Sequence, residues 1–313
     1  MGLLRGALVN ASGSHRVVGI VDTSWKSRRF NAAAGIPAPL FSSLPAALDG
    51  SAADACFVCT PPSVHAAVTS SALAAGLACF VEKPLTTDPD TSDALVRQAE
   101  EKDRKAVVGY TRRFSPVVRR LRAETLAAGG ARSVRAALLS PQFVGRSDEG
   151  AARGGVEWDL LVHATDAALF LAGSSAQPSV EAVRRRGSEA VAVDSGLDGI
   201  AVSLEADWAC NDVRKVEMRC ELVGADGTML GCDEDIVWRV TGDGSRETLF
   251  HRREAPPPWF DVAGADFSEE VADALAFFAG EREPGGTSLR EAAAVDRFVV
   301  SVIGAEAGPW EKR

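Results

Sequence analysis

The segment GGVEWDLLVHATDAALFLAG, residues 154–173, is almost wholly apolar yet carries an ionisable stripe. In a helix, Asp159, His163 and Asp166 stand at i, i+4 and i+7 and share one face. Val156, Trp158, Leu160, Leu161, Val162, Leu169, Phe170 and Leu171 fill most of the remainder, so the helix is expected to be buried. Ionisable groups in such a place are costly unless they are paired or used. Asp159 can accept from one ring nitrogen of His163, fixing the tautomer and leaving the other nitrogen for a substrate proton. A satisfied core His–Asp pair fits the same pattern. A metal pair would need a third ligand that the stretch does not supply.

A second constellation lies where two apolar runs stop on proline-marked turns, CFVCTPPSVH (56–65) and CFVEKPLTT (79–87). Lys83 follows the second run and precedes Pro84. A lysine at a strand end is ordinarily a surface residue. An ammonium held there can instead polarise a substrate oxygen or depress the pKa of a neighbouring acid–base group.

The elements around these residues alternate in the first third of the chain. Helical spacing over 3–11 is followed by a β-branched run over 16–22, a helix over 24–35 and a short helix over 43–50. A buried strand over 53–60, a helix over 63–76 and a strand over 77–84 come next, then a helix over 88–104 and a strand over 105–111. Such alternation predicts an α/β fold with a doubly wound parallel sheet, whose ligands bind at the carboxyl ends of the strands. From about 113 the pattern changes to a helix (115–130), a strand (133–140), a Gly-rich loop (145–155) and the long helix of 156–172. Strand-like runs follow at 180–186, 198–209, 213–223, 227–231, 235–241 and 246–252, then helices at 267–280 and 287–304. Short strands joined by tight turns predict a second, α+β domain with a large open, mostly antiparallel sheet. The domains are read as 1–112 and 113–313.

Composition bounds the function. With 313 residues, 46% hydrophobic and 25% charged, the chain is that of an ordinary soluble two-domain protein. A net charge of −9 argues against nucleic acid or an anionic membrane as partner. Arg-rich stretches such as RRFSPVVRRLR (112–122) are read as solvated faces, the helix-start arginines excepted. The six cysteines sit mostly in apolar runs, and in a strand Cys56 and Cys59 would point apart, so they are read as reduced, as in a cytoplasmic chain. No apolar stretch has the length of a signal or a membrane span.

TPPSVH, EKPLTT, GYTRRFSP and GGVEWDLLVHATD, in this order and at these distances, resemble the glucose–fructose oxidoreductase/inositol dehydrogenase/rhizopine-type (Gfo/Idh/MocA) family along essentially the whole chain. The resemblance implies a Rossmann-like first domain that binds NAD, or NADP. It also implies a second domain that presents a sugar or polyol substrate and forms homodimers or homotetramers through its sheet. It makes Lys83 and His163 the catalytic pair, with Asp159 orienting the imidazole or touching a substrate hydroxyl. Thr60, Pro61, Pro62 and Glu82 would line the nicotinamide ribose, Pro84 would be cis, and Arg113 would border nicotinamide and substrate. His65, capping the helix start, is a further cofactor-binding candidate. Asp22 would take the adenosine ribose hydroxyls, favouring NAD, whereas Lys26, Arg28 and Arg29 nearby leave NADP open. The family opens with a strand and a G-x-G-x-x-G turn; here Met1-Gly2 corresponds to the end of that turn and Leu3–Ala11 to the helix behind it. The first strand and most of the pyrophosphate cradle are therefore expected to be missing. The expected activity is NAD(P)-dependent interconversion of a secondary alcohol and a ketone. Two rivals are a non-catalytic sensor or scaffold that binds dinucleotide poorly, and NAD-dependent glycoside cleavage.

Overall fold

The structure is a computed structural model and describes residues 1–24, 36, 38–141, 154–256 and 265–310. It divides into two compact units. The first takes the described residues up to Thr86, Asp90–Thr111 and a returning segment that ends at Leu289; the second takes the rest.

In the first unit, α1 (Gly2–Ala11) precedes β1 (Ile20–Val21), β2 (Leu40–Phe41) and α2 (Leu44–Gly50). β3 (Ala55–Val58), α3 (Pro62–Ala74), β4 (Ala78–Glu82), α4 (Pro89–Glu101) and β5 (Ala106–Gly109) follow. The starts and stops are chemical. Ser43 accepts from the Ala46 amide to open α2, Pro62 supplies the first turn of α3, and Gly76, at φ +88°, leads the chain out of α3 into β4.

All neighbours among β1–β5 are parallel. They form two ladders, β1–β2 and β3–β4–β5, rather than one continuous sheet. The strand expected over 16–22 contracts to Ile20–Val21, and the Val17 amide donates to the Asn10 side chain at 2.8 Å instead of joining a ladder. The helix expected over 24–35 lies almost wholly outside the described residues.

The second unit opens with α5 (Pro116–Ala127) and β6 (Ala131–Leu139). A π-helical turn, Glu157–Leu161, runs directly into α6 (Val162–Ala172), which packs on β6. β7 (Ser179–Arg186), β8 (Ala190–Leu197), β9 (Ile200–Asp207), β10 (Glu217–Gly224), β11 (Met229–Cys232), β12 (Ile236–Val240) and β13 (Arg246–His251) complete the main sheet run. The chain then passes through α7 (Ala265–Ala279) and β14 (Thr287–Ser288), and ends with α8 (Leu289–Gly304) and β15 (Ala307–Pro309). The large sheet has the order β13-β12-β11-β10-β6-β9-β8-β7-β15 and is antiparallel except at β6–β9 and β7–β15.

Two expectations need correction. The run read as one strand over 198–209 is the second arm of a hairpin whose first arm, β8, was not foreseen. The turn is Asp198-Gly199, both at positive φ, the conformation a tight two-residue hairpin requires. The domain boundary also fails for the tail. Val271, Ala274 and Leu275 of α7 pack with Leu8 and Val9 of α1 and with Phe80 and Val107, while Thr287–Ser288 pairs antiparallel with β5. An apolar stripe shows that a helix is buried without showing against what, so residues read as part of the second domain return to the first unit.

Candidate active site

β3 and β4 are parallel neighbours, with Val58 opposite Val81, so their proline-marked turns leave the same edge of the sheet. The first turn carries Thr60, whose buried hydroxyl finds no hydrogen-bond partner among the described residues, then exposed Pro61 and half-buried Pro62. The second carries Glu82, half-buried Lys83 and Pro84, joined by a cis Lys83–Pro84 bond as the resemblance implied. His65 is 0% exposed and braces both turns: Nδ1 lies 2.8 Å from the Pro84 carbonyl oxygen and Nε2 2.8 Å from that of Thr60. Both ring nitrogens face backbone carbonyls, and His65 lies one turn inside α3 rather than at its cap.

Gly2 begins α1, with no side chain capping the helix start, and a Cβ at Gly2 would lie 3.6 Å from Cys59 just past β3. Asp22 follows β1 and is exposed, its Oδ1 accepting from the Ser24 amide at 2.8 Å. An uncapped helix start beside a strand end, an orphaned buried hydroxyl, an exposed carboxylate after β1 and an amine after β4 form a set of polar groups suited to a dinucleotide's phosphates and riboses. Lys26, Arg28 and Arg29 lie outside the described residues.

Glu82 differs from expectation. Its carboxylate is turned inward and accepts from Arg5 Nε at 3.0 Å. Arg5, 1% exposed, stands within the segment of helical spacing over 3–11. A charged residue on the otherwise apolar stripe of Leu4, Leu8 and Val9 was the one sequence signal available.

In the second unit, Gly154 and Gly155 both take positive φ (+83° and +94°) and lead the chain into the π-helical turn. The Gly155 carbonyl accepts from the Asp159 amide at 3.0 Å. Left-handed backbone at two successive positions is what the GG of the motif supplies. The π turn inserts an extra residue per turn, an irregularity that recurs at functional sites. Asp159 lies in it and accepts from Trp208 Nε1 at 3.2 Å. His163 follows in the first turn of α6; both residues are half-buried.

Asp166 does not share their setting. It is 0% exposed and takes Arg113 Nε at 3.0 Å on both carboxylate oxygens, while Arg113 Nη1 donates to Glu291 at 2.9 Å. Burial opposes the charge on Arg113, but Asp166 and Glu291 outweigh it and hold its pKa above the ordinary value. Arg113, expected at the border of nicotinamide and substrate, thus stands at the centre of a buried ion-pair triad with two carboxylates of its own unit. Farther along the Arg-rich stretch Arg119 is exposed, but Arg122 donates to the Phe170 carbonyl, and its guanidinium lies over the Phe170 ring. Lys83 belongs to the first unit, and Asp159 and His163 to the second.

Residues 2–110 match the family model described as the Gfo/Idh/MocA oxidoreductase family, NAD-binding Rossmann fold. That segment is similar to the NAD-binding domain of this family. Among its relatives, the UDP-N-acetylglucosamine 3-dehydrogenase of Acidithiobacillus ferrooxidans is 36% identical over 121 residues, 39% of this chain and 36% of that enzyme. An inositol 2-dehydrogenase of Leifsonia xyli is 40% identical over 152 residues, 46% of this chain and 43% of that enzyme. In these matches the chain therefore spans well under half the length of its curated relatives. The fold likeness is more extensive: a solved structure of the Acidithiobacillus enzyme superposes with a TM-score of 0.79 at 24% identity, covering 96% of this chain and 92% of the other. That likeness shows the fold: a Rossmann α/β unit and a unit built on a large, mostly antiparallel sheet. Among the described residues no helix is long and apolar enough to cross a membrane.

Proposed function

We propose that the chain is an NAD-dependent dehydrogenase that interconverts a secondary alcohol and a ketone on a sugar, a cyclitol or a sugar-derived intermediate. The observation that carries the reading is the Glu82–Lys83–cis-Pro84 turn at the carboxyl edge of β4, within the segment that matches the NAD-binding family model. The names of its relatives, a nucleotide-sugar 3-dehydrogenase and inositol 2-dehydrogenases, support a polyhydroxylated substrate.

The start of α1 at Gly2, with Thr60, Pro61, Pro62 and Asp22, holds the cofactor; a bound nicotinamide supplies the hydride acceptor or donor. His163 exchanges the hydroxyl proton of the substrate. Asp159, itself fixed by the Trp208 indole, sets the position of the imidazole or of a neighbouring substrate hydroxyl. Lys83 stabilises the charge that develops on the reacting oxygen. Assembly as a homodimer or homotetramer through the large sheet of the second unit belongs to the same reading.

Titrating the protein with NADH and with NADPH while following nicotinamide fluorescence tests the cofactor half. Following NADH formation with inositols and nucleotide-linked sugars tests the substrate half. Saturable NADH binding with turnover of at least one polyol is expected, and a folded protein that binds neither cofactor overturns the proposal.

A further inference from the structure

The first unit contains a buried charge cluster that the proposed chemistry leaves unused. Arg5 reaches inward from α1, its guanidinium stacked 4.6 Å from the centre of the Phe80 ring and 5.0 Å from that of Phe267. Its Nε donates to Glu82 Oε1 at 3.0 Å, and its Nη2 lies 2.6 Å from Glu270 Oε2 of α7 in an ion pair. Thr111, just past β5, donates its hydroxyl to the same Glu270 oxygen at 2.9 Å. Space for this packing comes from Gly109: a Cβ there would stand 2.8 Å from Phe80 and 3.4 Å from Arg5 Nη2.

The charge count does not close. One guanidinium faces two carboxylates in a site where all three side chains are buried. Desolvation makes an uncompensated charge expensive, so one carboxyl does better holding a proton. Geometry selects which. Both contacts to Glu270 fall on Oε2, and Oε1 has no hydrogen-bond partner among the described residues. That oxygen can carry a proton without breaking a contact.

The groups facing Glu270 are Arg5 from α1, Glu82 from β4 and Thr111 from the end of β5. Cys59, past β3, feels the same two charges, and burial followed by Glu82 pushes its thiol up to about 12, so it stays neutral. On α7 itself, Asp273 is occupied by the Gly285 amide and Arg282. Burial, opposed by Arg5 and reinforced by Glu82, pushes the Glu270 carboxyl up to about 7.

We infer that Arg5 and Glu270 are positioning residues for the Glu82–Lys83–Pro84 turn, with a proton on Glu270 deciding whether Arg5 is committed to Glu82 or divided between two carboxylates. With Glu270 protonated, Arg5 and Glu82 form a balanced pair that ties α1, the helix at the cofactor turn, to the residue preceding Lys83. With Glu270 ionised, the guanidinium is shared and the hold on Glu82 slackens. The inference rests on the proposed function only for the consequence at Lys83, and the linkage itself is independent of activity.

The test labels lysines with acetic anhydride in the protein without added cofactor and compares Lys83 with exposed Lys102 by mass spectrometry, so that the ordinary pH dependence of amine reactivity cancels. In the wild type, the Lys83/Lys102 ratio is expected to rise about threefold between pH 6 and pH 8, as the shared pair loosens the turn. Glu270→Gln, which mimics the protonated carboxyl in shape, should hold the ratio at its low-pH value throughout. Arg5→Met should give the high ratio at every pH, and Arg5→Lys, which keeps the charge, should restore part of the low-pH value. Parallel profiles for wild type and Glu270→Gln overturn the inference. A separation of the two profiles in a protein that binds no NADH sustains it and removes the dehydrogenase reading instead.

Discussion

His65 Nδ1 lies 2.8 Å from the carbonyl oxygen of Pro84, nineteen residues on in the chain, while the opposite edge of the same ring meets the Thr60 carbonyl. One buried imidazole therefore fastens the turn after β3 to the turn after β4. A neutral ring donates to one of these carbonyls, so His65→Ala would leave that carbonyl without its donor in the interior, at about 1–3 kcal/mol, and open a cavity between the turns. Urea unfolding should show a loss of about 2–4 kcal/mol, accompanied by weaker NADH binding. Retention of full stability would show that the clamp is not worth its burial.

Glu270 predicts how stability depends on pH. Its carboxyl titrates near 7 in the folded chain against an ordinary value of 4.5. A raised acid favours the folded state while protonated in it, so its contribution is fully present below about pH 4.5 and is lost as pH rises through about 7. The interval corresponds to roughly 3 kcal/mol. Unfolding curves of wild type and Glu270→Gln across that range should diverge in favour of the variant as pH rises; a constant difference would rule out the titration.

The triad of Arg113, Asp166 and Glu291 should behave as structure and not as catalysis. Arg113→Met strands Asp166 in an apolar setting and is expected to cost about 3–5 kcal/mol, whereas Arg113→Met with Asp166→Leu should recover much of that loss. Thermal unfolding of both variants checks it. Dinucleotide affinity should be unchanged in the double variant.

His163→Ala is expected to lower turnover by about 10²–10⁴-fold while leaving NADH binding nearly intact. Steady-state kinetics with the best polyol substrate, set beside a fluorescence titration, decides it. Equal turnover would remove His163 from the chemistry. Lys83→Met should lower turnover as well, because it takes away the charge assigned to the reacting oxygen.

Much of this architecture can be read from residue order because buried parallel strands are short apolar runs with hard stops. ACFV and ACFVE end on the TPP and EKP turns, and Gly76 and Gly173 close the helices α3 and α6 at φ +88° and +72°. β8 escaped because Asp194 and Ser195 interrupt its alternation, although Asp198-Gly199 beside it was a hairpin signal. The Asp159/His163/Asp166 stripe assumed one regular helix. A π turn depends on backbone hydrogen bonding that side-chain spacing does not report, and Asp166 faces a partner, Arg113, from another helix start. Arg5, Glu82 and Glu270 come from three distant segments, and only tertiary packing reveals that one cation serves two acids.

The π-helical turn at Glu157–Leu161 also constrains how this segment can vary. An extra residue in one turn rotates everything before it by about 100° relative to α6. Removing one residue from the bulge would tidy the backbone ladder while swinging Asp159 away from the Trp208 indole that now holds it. Shortening here should therefore yield a sturdier helix and a misaimed carboxylate, a trade that point substitutions at the same positions need not make.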